Sequence, residues 1–204
     1  QLDVNRLGFN KNALLQLELL MAQFRASEEY RVTGGIDAGR FVVSILNNPN
    51  HYYKIVGMPT QLNQFTQTAS FLDKRAAILE SAVAFKQRLI QLPSESSKIN
   101  QIKYWAEELL GSITDSSHIV VENEVIDIME NGQLRFGIYD TLGRLINGAD
   151  PNFSAAGKPV KCLWCHETEV QPAFAALTSI PGYYSPSEFD SIVNRNNLDL
   201  DFLR

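Results

Sequence analysis

Val125-Ile126-Asp127-Ile128-Met129-Glu130-Asn131-Gly132-Gln133-Leu134-Arg135-Phe136-Gly137-Ile138-Tyr139 is the stretch on which the fold class turns. Its first five residues are rich in β-branched side chains. Asn131-Gly132 then supplies the pair that best tolerates the positive φ angles of a tight hairpin. Leu134, Phe136 and Ile138 alternate with Arg135, Gly137 and Tyr139, the period of a strand with one face on a core. The β character extends backwards to His118–Val121. Forwards, it passes a turn at Asp140–Gly143 into a short strand at Arg144–Ile146. An antiparallel meander is the expectation for this part of the chain.

Upstream the periodicity is helical. Asn12 can cap a helix carrying Leu14, Leu17, Met21 and Phe24, and Asp37 can cap a second one carrying Phe41, Val42, Ile45 and Leu46. That second helix should stop before Asn48-Pro49, because the residue preceding proline is driven out of the helical region. Asn47–Pro59 reads as a connection. Apolar residues from Phe71 to Leu92 form a broad stripe expected to be one long helix ended by Pro93, and Ile99–Leu110 a further helix closed by Gly111. The expected class is therefore α+β, with a helical region over residues 1–112 and a β-rich region over 113–204. The latter should end in helices at Glu169–Leu177 and Ser187–Val193.

The 204 residues carry 23 acidic and 18 basic side chains, a formal charge of −5, and 45% of them are apolar. That is the composition of a folded domain able to bury a core without disulfides. No basic block offers a footprint for nucleic acid, and no apolar run is long enough for a bilayer span. The chain opens on Gln1, which reads as a mature or trimmed product, as a fragment or as a subunit of a larger exported assembly.

Chemistry is concentrated in Cys162-Leu163-Trp164-Cys165-His166, which contains both cysteines of the chain. Chance would bring two cysteines and a histidine into this arrangement about once in 7,000 such compositions. Cys-x-x-Cys-His is the attachment signature of a c-type haem. Two thiols one helical turn apart reach the two vinyl groups, and the adjacent histidine ligates the iron. Three other readings use the same residues. A structural zinc site would need further ligands, and only His51 and His118 remain as histidines. A thiol–disulfide oxidoreductase would need the motif at a helix N-terminus after a central strand. The cysteines can also be plain structural thiols or a local disulfide, in which case the chain is a non-catalytic envelope or interaction protein.

Residues 125–174, above all Gln133–Asp140, Gly157-Lys158-Pro159 and Lys161–Glu167, resemble the C-terminal part of the small β-sheet cytochromes that oxidise hydroxylamine or bind nitric oxide, among them the beta form of cytochrome c prime. The resemblance covers about a quarter of the chain. It implies one covalent haem c on Cys162 and Cys165, with His166 as axial ligand. The implied role is monohaem electron transfer or small-molecule redox and gas binding outside the cytoplasm, and as an enzyme the chain would be a haem-dependent oxidoreductase. Its partner would be a redox protein or a small nitrogen-oxide ligand.

Trp164 is expected to pack on the porphyrin edge. Phe136, Tyr139, Phe174, Tyr183 and Tyr184 are candidates for the pocket wall, and Glu167 and Glu169 are acids beside the motif. A sixth iron ligand would come from Met58 or His118, less readily from His51 or Met129. The position is otherwise open, as the resemblance implies.

Overall fold

The computed structural model describes residues 11–68, 70–81, 83–94, 102–115, 117–129, 131–166, 169–170, 175–176 and 179–203. The chain divides into two compact units, Gln1–Met58 and Pro59–Arg204. The α+β class holds, but its division along the sequence differs from the expectation. A boundary at 112/113 would separate two strands that are hydrogen-bonded to each other.

The first unit is helical: α1 (Lys11–Arg25), α2 (Glu28–Thr33), α3 (Ala38–Asn47) and α4 (Pro49–Val56). Asp37 caps α3 as expected, its carboxylate accepting from the Arg40 amide at 2.7 Å. The expected connection at 47–59 is mostly helix. Asn48 caps α4, and Pro49 takes the first helical position, where its missing N–H costs nothing. Leu17, Leu20, Tyr52, Tyr53, Ile55 and Val56 are buried in this unit, and the Phe24 and Phe41 rings meet at 5.9 Å.

The second unit opens with α5 (Leu62–Thr66) and is built on a five-stranded antiparallel sheet. Its strands are β1 (Phe71–Ile78), β3 (Gln87–Pro93), β4 (Lys103–Leu110), β5 (Ile119–Ile128) and β6 (Leu134–Tyr139), adjacent in that order. Where helices were expected over 71–92 and 99–110, Phe71–Ile78, Gln87–Pro93 and Lys103–Leu110 are strands. The physical reason is burial on both faces. Ala76, Ala77 and Ile78 are consecutive and buried, as are Arg88 and Leu89, so the apolar pattern loses its period of two and imitates a wide helical stripe. In β4, Glu107 and Glu108 favour helix intrinsically, but cross-strand pairing on both sides overrides propensity.

Between β1 and β3 the chain makes an excursion that includes β2 (Glu80–Ser81), which pairs with β7 (Ala175–Ala176). After β6, residues 140–158 lead to a single 3-10 turn, Pro159–Cys162, and a one-turn helix, α6 (Leu163–His166). The long α7 (Pro186–Leu203) follows and contains the helix expected at Ser187–Val193. The expected helix at Glu169–Leu177 falls mainly outside the described residues, and Ala175–Ala176 are strand.

One face of the sheet is covered near α5: Phe65 is fully buried, and the Tyr139 hydroxyl donates to the Pro59 carbonyl at 2.8 Å. Farther along, Ala77, Leu89, Leu109 and Ile113 form a core cluster with Tyr183 against it. The opposite face carries Ile78, Arg88, Ile90, Tyr104, Ala106, Glu124, Ile126, Phe136 and Ile138. This face positions the site.

Candidate functional site

Strand register dictates which side chains the site receives. Across β3, β4 and β5, Ile90 faces Ala106 and Ala106 faces Glu124, while Arg88 faces Glu108 and Glu108 faces Glu122. Because side chains alternate between faces, these residues stand together on one surface. Above that surface lies a cavity of about 390 Å³. Its floor is mainly aliphatic, with Arg88 and Glu124 at one part and Phe136 at another. Its far wall is the segment Lys161, Cys162, Trp164, Cys165 and His166. The size and apolar lining are those of a site for an organic ligand or cofactor.

Two backbone attachments hold the motif over the cavity. On its N-terminal side the Ala155 amide donates to the Val83 carbonyl at 2.7 Å, and Ala84 bridges Ser154. On its C-terminal side Ser81 pairs with Ala175. Residues 80–84 therefore clasp both flanks of the motif loop. Gly157, at φ +64, completes the approach, and a Cβ there would press on the Lys161 side chain at 3.2 Å.

Within the motif, Cys162 is half-buried and Cys165 exposed, and both are free thiols. Burial pushes the Cys162 thiol far up; the negative charge of Glu124 adds to the shift and Arg88 opposes it. A thiol so held is protonated at neutral pH and is a poor attacking thiolate, which argues against disulfide exchange. The Nδ1 of His166 donates to the Glu169 carbonyl at 3.3 Å, since a carbonyl can only accept. Burial lowers the pKa of the ring, so it is neutral. The proton on Nδ1 leaves the acceptor lone pair on Nε2, the arrangement in which histidine ligates a metal. Phe136 packs beside it, ring centroids 5.9 Å apart. Trp164 is 84% exposed although it borders the cavity, and the Lys161 ammonium lies 5.9 Å from its ring centre.

The other expected residues lie elsewhere. Met58 and His51 belong to the first unit, Met58 buried there and His51 in α4. The His118 Nδ1 donates to the Asp115 carbonyl at 2.9 Å. The Met129 amide donates to the Gln133 carbonyl beside the hairpin turn. Neither His118 nor Met129 lines the cavity. Tyr139 points into the opposite face, Tyr183 packs on the core cluster and Tyr184 lies under Lys74. Glu167 and Phe174 lie outside the described residues.

A group that sequence reasoning missed stands at the charged part of the floor. Glu108 and Glu122 are 0% and 1% exposed, with Glu124 beside them. The Arg88 guanidinium binds the Glu108 carboxylate through Nε at 2.9 Å and reaches Glu124 at 3.1 Å. The Asp150 amide donates to Glu122 at 2.8 Å, and the Ser154 hydroxyl to Glu124 at 3.3 Å. Burial raises the pKa values of Glu108 and Glu122 to about 7, with Arg88 opposing and Glu124 adding in both; the Asp150 amide is the larger opposing influence at Glu122. The signal available in the sequence was the Glu122-Asn123-Glu124 alternation in a β-branched run, which puts two acids on one face.

Comparison with known proteins returned no match: no family model, no curated protein and no solved structure is similar to this chain. No helix among the described residues is long and apolar enough to cross a membrane.

Proposed function

We propose that this chain is a monohaem c-type cytochrome in which Cys162 and Cys165 hold the haem as thioethers and His166 Nε2 ligates the iron. The observation that carries the reading is the apolar cavity of about 390 Å³ with both thiols and the imidazole on one wall. A zinc site has less support. Among the described residues, the only three or more His, Cys, Asp or Glu ligand atoms that converge are those of Glu108, Glu122 and Glu124; the motif residues do not. Attachment to two separated vinyl groups has no need of such convergence.

Bound there, haem supplies one-electron redox chemistry and an iron position at which small ligands can bind. The chain's own contributions are positional and electrostatic. The clasp at residues 80–84 fixes the motif, and the Glu169 carbonyl orients the His166 ring. Ile90, Ala106, Ile126 and Ile138 keep water from the floor, while Phe136 braces the imidazole. Neither His118 nor Met129 lines the cavity, which supports an open sixth position, as the resemblance implies. An open position suits binding of nitric oxide or a related small molecule better than electron transfer alone, and the setting is extracytoplasmic, where haem is attached.

The test is expression with the haem-attachment machinery, followed by a visible spectrum and the mass of the denatured chain. A Soret band and one haem mass are expected, both lost in Cys162→Ala with Cys165→Ala. A colourless chain, or haem mass retained in the double variant, overturns the reading.

A further inference from the structure

We propose that Glu108, Glu122 and Glu124 form a binding site for one divalent cation of the hard, oxygen-preferring class, magnesium, manganese or calcium. One ligand oxygen from each carboxylate lies within 4.8 Å of those of the other two. Oxygens on opposite sides of a cation with bonds of about 2.4 Å are separated by about that span, so the three can share one ion. Two of the three carboxylates also carry an oxygen that no donor engages. Glu108 Oε2 and Glu122 Oε1 are buried with no hydrogen-bond partner, on side chains whose residues are 0% and 1% exposed. Arg88 engages the other oxygen of Glu108, and the Asp150 amide the other oxygen of Glu122, so each carboxylate is oriented with its second oxygen left over.

Charge points the same way. Three carboxylates face a single guanidinium, so two negative charges stay uncompensated when all are ionised. A divalent ion would offset both, and unpaired buried charge is otherwise costly. Glu124 borders the cavity, giving an ion a route to the cluster. All-oxygen donors favour these hard cations over zinc or copper.

The groups that face the cluster are Arg88 from β3, Asp150 and Ser154 from the loop before the motif, and Cys162 from the 3-10 turn. Arg88 is the one cation among these groups, and it engages one oxygen of Glu108 and one of Glu124.

The experiment is a manganese titration of the chelator-dialysed full chain, free Mn(II) being read by its paramagnetic resonance signal. One ion per chain is expected, weakened at least about tenfold in Glu122→Gln and Glu108→Gln. Exposed Glu18→Gln should bind as the wild type does. No binding by the wild type, or equal binding by Glu122→Gln or Glu108→Gln, overturns the proposal. The outcome is independent of the haem reading, since a colourless chain that binds manganese in this way would refute the cytochrome and support the cation site.

Discussion

Glu108 and Glu122 are direct cross-strand partners, two carboxylates where a sheet usually avoids like charges. Their folded pKa values of about 7 lie above the ordinary 4.5, so the folded state holds protons that the unfolded chain releases first. Stability from these groups is thus present below about pH 4.5 and is lost as pH rises through about 7, on the order of 3 kcal/mol for each carboxyl taken alone. In metal-free protein the thermal midpoint should fall between about pH 5 and pH 8, and Glu122→Gln should flatten that slope. A midpoint independent of pH in the wild type would mean that these carboxyls are not protonated in the fold. At His166 the expectation concerns the iron: the ferrous protein should bind carbon monoxide, and Met58→Ala and His118→Ala should leave its spectrum unchanged. A low-spin protein that ignores carbon monoxide until one of those residues is removed would identify the sixth ligand. The motif stood out in sequence because its five residues are consecutive, and the structure places all but Leu163 of them along one wall of the cavity. The carboxylates did not, since Glu108 and Glu122 meet only through a register that no local pattern announces.

At the scale of elements, β3, β4 and β5 form the part of the sheet on which charge is buried. Arg88 reaches across β4 to Glu108 and on to Glu124 in β5, so one guanidinium ties three strands. Arg88→Met keeps much of the volume but leaves Glu108 without its partner. Removing one side of such a pair costs about 3–5 kcal/mol. Denaturant unfolding at about pH 8, where the carboxyls are ionised, should show that loss, and much less of it at about pH 5. Equal losses at both pH values would make packing rather than charge the cause. The same strands explain where sequence reasoning misread elements. The hairpin of β5 and β6 was legible from Asn131-Gly132 and the alternation after it, although only Gly132, at φ +79, takes the positive φ expected of both residues, and the connection from Ile128 to Leu134 is longer than a two-residue turn. β1 and β3 were not, because Ala76-Ala77-Ile78 is buried on both faces and carries no period of two.

For the whole molecule, the division after Met58 predicts that residues 59–204 form a folded unit containing every residue of the proposed haem site. Expressed alone with the attachment machinery, this segment should show a β-rich circular dichroism spectrum and acquire the haem mass. An unfolded product would mean that the helical unit is needed for the fold. The clasp at residues 80–84 also has a consequence in time. The five main strands pair only with near neighbours in sequence, between residues 71 and 139, so the sheet can assemble while the polypeptide is still being delivered. The pairing of Ser81 with Ala175 has to wait for a segment beyond the motif. Until that segment arrives, Cys162 and Cys165 are tethered on their N-terminal side only, through the Ala84–Ser154 bridge. Completion of the two-stranded β2–β7 pair then fastens the second flank, so the cavity wall that carries the motif is the last part of the unit to be fixed.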